Sequence, residues 1–256
     1  MGRLKIEQVY YAGSPPTDGI ERYYADQFIQ LSNTSDHPIE IGGVGLGDLY
    51  GLAGEINQGN APSEFAEDDA HVYFGNLWRI PGTAEDTLIE PGSCIRIAQD
   101  AADHQPYSDL NHLDAHYETY VDSGEDHDDP VVENLESVFY TAGYDWLVTV
   151  FGPTIVVVSP EAFEAMEEVD AGWTDVLQVP ADTVIDTMEA VMDEDSGDFK
   201  RLPSTIDAGF IHVSGTYTGE AVRRVSADGV LLDADDSGTD FEVAAPTADC
   251  INEDAW

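Results

Sequence analysis

Lysine is almost missing from this chain, occurring only at Lys5 and Lys200. Lysine and arginine together number 9 against 52 aspartates and glutamates, a formal net charge of −43 over 256 residues. Without a basic patch the chain has nothing to neutralise phosphates, which excludes nucleic acid as a partner. An anionic membrane surface is disfavoured for the same reason. No apolar run approaches the roughly 20 residues that a spanning helix needs. The opening MGRLKIEQVYYAG has no signal-peptide apolar segment. The expectation is therefore a cytoplasmic protein, or one whose leader lies outside this chain. Cysteine is limited to Cys94 and Cys250, too far apart for a zinc motif. Two free thiols and a disulfide tying the C-terminus to the body both stay open, and the second requires an oxidising compartment. No Gly-x-Ser-x-Gly elbow occurs, so Ser, His and Asp do not add up to a triad. Cys94 sits in a strand pattern, where burial leaves a thiol inert. The sequence assigns no catalytic residue, and an enzyme is not expected.

What the chain does have is enough apolar material, 42%, to build a core. Its acids are spread along the whole length, which reads as a solvated surface suited to very salty surroundings. The text alternates as strands do. Leu4 to Tyr11 is a first strand, and Phe28 to Leu31 a second. Asn33-Thr34-Ser35-Asp36 is turn chemistry. Ile39 and Ile41 mark a half-buried strand, followed by Gly42, Gly43, Gly45 and Gly47 as a tight bend. From Asp48 to Gly82 the pattern is broken and reads as a surface excursion with one strand ending near Trp78-Arg79-Ile80. Ser93 to Ala98 is a strand, and Thr154 to Val158 a buried central one. Pro160 to Met166 starts a helix, with Ser159 as its N-cap. Val184 to Met192 fits strand or helix. Phe210 to Val213, Ala221 to Val225 and Gly229 to Asp233 close the chain as strands. The fold class is mainly β, an immunoglobulin-like or lamin-tail-like β-sandwich with additional strands and one or two short helices. No repeat or linker divides it, so 1–256 is read as a single domain, with 1–159 the sandwich core and 160–256 a C-terminal β extension.

Three constellations carry possible chemistry. His104, His112, His116 and His127 lie among acids. On a helix His112 and His116 would share a face and chelate a transition metal. Their text is His-Leu-Asp-Ala-His, however, without the glutamate of a zinc protease. Asp233, Asp235 and Ser237, with Gly238 at position six, match the opening of a calcium loop, although position twelve is Ala244. The acid-rich stretch 193–198 is a second such loop. Calcium is the one cofactor the sequence suggests. The tyrosines Tyr10, Tyr11, Tyr23 and Tyr24 could form a ligand platform.

The pieces IEQVYYAG at 6–13, DQFIQLSNTSD at 26–36, PGSCIRIAQDAADH at 91–104, KRLPSTIDAGFIHVSGTYTGEAVRRV at 200–225 and DSGTDFEV at 236–243 resemble the uncharacterised DUF4876 family of Bacteroidota-type secreted or lipid-anchored proteins. The first half also resembles a lamin-tail domain. Asp235-Asp236-Ser237 departs from the Asn-rich text of that family, and the acidity exceeds it. The resemblance implies a non-catalytic accessory, binding or structural protein, extracellular, periplasmic or on the outer-membrane surface. Its partner would be a protein or small molecule there, such as a TonB-dependent transporter for nutrients or metals. The alternative is a metal-dependent hydrolase built on the histidines at 104–127.

Overall fold

The computed structural model describes residues 4–17, 19–55, 65–82, 87–122, 125–141, 143, 145–146, 148–172, 174–227 and 229–250. Part of the expected excursion after Asp48, residues 56–64, therefore lies outside the described residues. The strands, in chain order, are β1 (Leu4–Tyr10), β2 (Phe28–Asn33), β3 (Ile39–Glu40), β4 (Gly45–Leu49), β5 (His71–Arg79), β6 (Leu88–Ile89), β7 (Cys94–Ala98), β8 (Tyr117–Glu118), β9 (Glu133–Asn134) and β10 (Glu136–Tyr140). After them come β11 (Thr154–Val158), β12 (Glu167–Asp170), β13 (Asp175–Pro180), β14 (Val184–Glu189), β15 (Ala221–Arg224), β16 (Ser226–Ala227), β17 (Val230–Leu231) and β18 (Phe241–Ala244). Two single-turn helices, α1 (Ala162–Ala165) and α2 (Ser237–Asp240), are interleaved.

The strands form a mainly β sandwich. One sheet runs β18-β15-β1-β2-β7-β8-β9; the other runs β12-β13-β5-β4-β11-β14, with β10 also on β5. Pairing is antiparallel except at β7–β8 and β8–β9. Period-two alternation sends Ile29, Leu31, Ile95 and Ile97 from the first sheet into one core, where they meet Leu46, Trp78, Ile155, Val157 and Met188 from the second. The alternate residues of β11, Val156 and Val158, join Phe74, Leu77, Val179 and Leu202 in a second cluster on the outer face. Burial on both faces is why β11 reads as a continuous apolar run. Strands from beyond residue 159 enter both sheets, β15 and β18 the first and β12 to β14 the second.

The strand–turn–strand text around Asn33 is an arch between sheets, not a hairpin within one. Asn33 makes the turn expected of it: Nδ2 donates to the carbonyls of His37 (2.9 Å) and Ile89 (2.8 Å), and Oδ1 accepts from Ser35 N (2.8 Å). The chain then enters β4, so Gly45 and Gly47 are strand residues. Gly47 is required there because a methyl group would overlap the Asn76 carbonyl oxygen of β5. The strand expected to end near Trp78-Arg79-Ile80 is β5, the longest among the described residues, whose ladder partners are β4, β13 and β10. The helix after Ser159 is one turn long and begins two residues late, since the extended Met166 ends it at once. Residues 210–213 make only a single bridge, Ile211 to Ala190.

Several of the cations go inside. Asp186, buried between the sheets, accepts from Ile6 N (2.6 Å), Arg224 Nη2 (2.5 Å) and Lys5 Nζ (3.4 Å). Glu189, also buried, accepts from Lys200 Nζ (2.9 Å), Thr154 Oγ1 (2.8 Å), Arg201 N (2.6 Å) and Leu202 N (2.9 Å). Both lysines of the chain are thus used in interior ion pairs.

Candidate functional site

Residues 11–26 link β1 to β2 at one end of the first sheet. Residues 99–116, which follow β7, fold against them. A short polar chain joins the two. Tyr10 Oη and Ser14 Oγ are 2.9 Å apart, and Ser14 Oγ donates to Asp26 Oδ2 at 2.5 Å. Tyr10 Oη also reaches Asp26 Oδ2 at 3.4 Å. Asp26 is fully buried, its Oδ1 has no hydrogen-bond partner, and burial raises its pKa above the ordinary carboxylate range. Tyr23 Oη lies 2.7 Å from His104 Nδ1, while His104 Nε2 reaches the Asp100 carbonyl at 3.1 Å. That pairing makes Nε2 the protonated nitrogen, so the phenol donates to Nδ1.

This network backs an open groove. Its deeper part, about 530 Å³, is lined by Tyr10, Ser14, Pro15, Thr17, residues 105–110, Thr218, Gly219, Ala245 and Pro246. It continues into a shallower part of about 570 Å³ along residues 109–114 and 246–248. Tyr107 and Leu113 stand exposed on its rim. The far wall is a strap formed by the last described residues, which cross the outer face of the first sheet. Gln8 Nε2 donates to Thr247 O (2.8 Å), Thr247 N donates to Gln8 Oε1 (3.1 Å), and Gln30 Nε2 donates to Ala248 O (3.0 Å). A Cys94–Cys250 disulfide then ties the strap to β7.

The histidines do not converge on a metal. The stretch Leu110 to His116 is a chain of turns, not a helix, so the shared face expected of His112 and His116 is absent. His112 is buried, and its Nε2 donates to the Asp26 carbonyl at 3.0 Å. Burial pushes it down to about 3, so it stays neutral. His116 Nδ1 accepts from Arg96 N at 3.1 Å, and His127 is exposed. Among the described residues no group of three converging ligand atoms includes a histidine.

The expected calcium loop is also taken up internally. Asp233 pairs with Lys5 at 2.6 Å. Asp236 caps α2, and Asp235 takes a positive φ of 53°. Ser237 is buried and donates Oγ to Asp207 Oδ2 at 2.5 Å. The side chains of Asp233 and Ser237 therefore serve the fold, and Asp235 is exposed. In the second acid-rich loop Asp193 likewise caps a 3₁₀ turn. Of the tyrosines, Tyr10 lines the groove, Tyr23 sits behind it 5.0 Å from the Tyr107 ring, and Tyr11 is core. The strap wall was invisible in the sequence, because 245–250 has no strand pattern and only its cysteine hints at an anchor.

No curated protein matches this chain. A solved structure of a DUF4876 family protein from Bacteroides thetaiotaomicron VPI-5482 has the same fold, with a TM-score of 0.83 at 23% identity. The match covers 97% of this chain and 75% of that one. The model of the family described as "Protein of unknown function (DUF4876)" matches residues 90–248, a span that includes β7, both the 105–114 and 245–248 walls of the groove, and the Glu189 ion pairs. The chain belongs to the DUF4876 family.

Proposed function

We propose that the protein is a non-catalytic binding or accessory protein that takes its ligand in the groove between residues 105–114 and the 245–248 strap. The observation that carries this reading is the groove itself: hydroxyls of Tyr10 and Ser14, already held by a buried carboxylate, beside an exposed aromatic, Tyr107. Convergent polar groups in a concave, partly apolar surface suit a small or extended ligand. A hydroxyl-rich, uncharged ligand matches that chemistry, and the chain's negative field disfavours an anionic one. The Ser14 hydroxyl is bonded to a carboxylate and a phenol and has no imidazole partner, so nothing here prepares a nucleophile.

The disulfide supports placement in an oxidising compartment, at the cell surface, in the periplasm or outside the cell. There the protein serves an outer-membrane transporter in nutrient or metal uptake. The lamin-tail-like text of the first half fits the same role, since a rigid sandwich presenting loops binds without catalysing. The uncompensated acid surface suits a halophilic setting. Calorimetric titration with a panel of neutral oligosaccharides tests the groove. Saturable binding that Tyr107→Ala abolishes, with the circular dichroism spectrum unchanged, is expected. Equal binding by both forms, or by neither, contradicts the assignment.

A further inference from the structure

Asp100, Asp126 and Asp145 come from three separate segments: the residues after β7, the loop after β8, and the stretch leading towards β11. One carboxylate oxygen of each lies within 4.8 Å of the others. In all three the Oδ1 atom is buried without a hydrogen-bond partner. Two of the companion oxygens are engaged. Asp126 Oδ2 accepts from Val121 N at 2.6 Å, and Asp145 Oδ2 accepts from Gln99 Nε2 at 2.6 Å. Gln99 is only 3% exposed, and its Oε1, on the amide anchored to the cluster, has no partner either. Three aspartates that converge, and the glutamine amide bonded to one of them, thus each keep a buried oxygen without a partner. The charges acting on Asp100 are those of Asp145, Asp126 and Glu118, all of its own sign.

Three carboxylates cannot share such a site as anions unless a cation joins them. We infer that Asp100, Asp126, Asp145 and the Gln99 amide oxygen bind a calcium ion. Calcium lies about 2.3–2.6 Å from its oxygen ligands, so oxygens on opposite sides of one ion stand about 4.6–5.2 Å apart. Three oxygens that all lie within 4.8 Å of one another fit around one such ion. Magnesium, at about 2.0–2.1 Å, draws its ligands closer and demands a stricter octahedron. No imidazole nitrogen or thiolate belongs to the cluster, which leaves transition metals without their preferred ligands. Three backbone regions are tied by the ion: the Asp100 turn, whose carbonyl holds His104, the loop after β8, and the segment entering β11. The inference stands whether or not the groove takes a ligand.

The test uses the full chain stripped with chelator, in about 1 M sodium chloride to screen diffuse binding to the acid surface. Calcium chloride is titrated by calorimetry. Terbium luminescence provides a second reading, sensitised by Trp146 and by Tyr140, whose Oη donates to the Asp145 carbonyl at 2.6 Å. One calcium per chain and a raised melting temperature are expected. Asp126→Asn and Asp145→Asn should each weaken binding by about tenfold or more, because ligand charge sets affinity. Glu168→Gln, on exposed β12, should leave it unchanged. Metal-free Asp126→Asn should also melt above the metal-free parent, since it removes a like charge. Absence of a saturable site, equal binding by all four proteins, or magnesium binding as tight as calcium overturns the proposal.

Discussion

Glu189 shows what a single residue does here. In the sequence it is one acid among 52. In the fold it is wholly buried and holds Lys200, Arg201 and the backbone of 201–202, and Arg201 in turn donates to the Gly152 carbonyl at 2.9 Å. Removing one partner of a buried pair strands the other, at a cost of about 3–5 kcal/mol. Glu189→Ala should therefore lower the urea midpoint by that stability difference, while Glu242→Ala, on an exposed pair with Arg223, should change it little. Equal midpoints for the two variants would contradict the interior role. Asp100 gives a pH signature. Burial and the neighbouring acids push it up to about 8, and Asp126 up to about 6, from an ordinary 3.8. A raised carboxylate binds its proton more tightly folded than unfolded, so between about pH 4 and 8 stability falls as pH rises. Metal-free protein should melt higher at about pH 5 than at about pH 8, and Asp100→Asn should flatten that slope. A parent with no such fall would count against the uncompensated cluster. Composition foretold the scarcity of cations. It could not tell which acids they would meet, because Lys5 and Asp186 are 181 positions apart and nothing local marks the pairing.

At the scale of elements, legibility followed locality. β1, β2, β7 and β11 were readable because their apolar runs are continuous or alternate cleanly. β5 was legible only at its end near Arg79, since His71, Gly75 and Asn76 interrupt what precedes it; its full length comes from three partners across the sheet. Likewise the helical reading of His112 to His116 rested on spacing alone, and the turns that build the groove wall overrode it. Asp233 to Ser237 looked like a metal loop because capping and ion pairing use the same residue types as calcium. The Asx turn at Asn33 was legible; that it carries the chain between sheets was not. Close approach between β4 and β5 predicts that Gly47→Ala, which forces them apart, costs about 1–3 kcal/mol. Thermal unfolding checks this, and an unchanged melting temperature would refute it. The disulfide is the other element-level device. It closes a span of 156 residues, for which the chain-entropy view gives about 4–5 kcal/mol. Cys94→Ser with Cys250→Ser should lose stability on that order and free the strap. Protease nicking near residues 245–250, mapped by mass spectrometry, should then appear only in the variant; identical digests would show that the strap holds without its bond.

The whole molecule is an anion, and five of its described cations are used inside. Lys5, Arg96, Arg201 and Arg224 are buried, and Lys200 reaches a buried partner. The surface carboxylates are left with scarcely any basic residues to pair with. Their repulsion extends over the Debye length, about 10 Å at 0.1 M ionic strength and about 3 Å at 1 M. Self-repulsion of this size opposes the compact state, and salt is what relieves it. Excluded salts also strengthen apolar burial in any protein, so a near-neutral β-sandwich of similar size is the necessary control. The most direct measurement is thermal unfolding of both proteins in sodium chloride from about 0.1 M to about 3 M. The melting temperature should climb steeply here, mostly below about 1 M where screening changes fastest, and shallowly in the control. Equal slopes for the two proteins would contradict it.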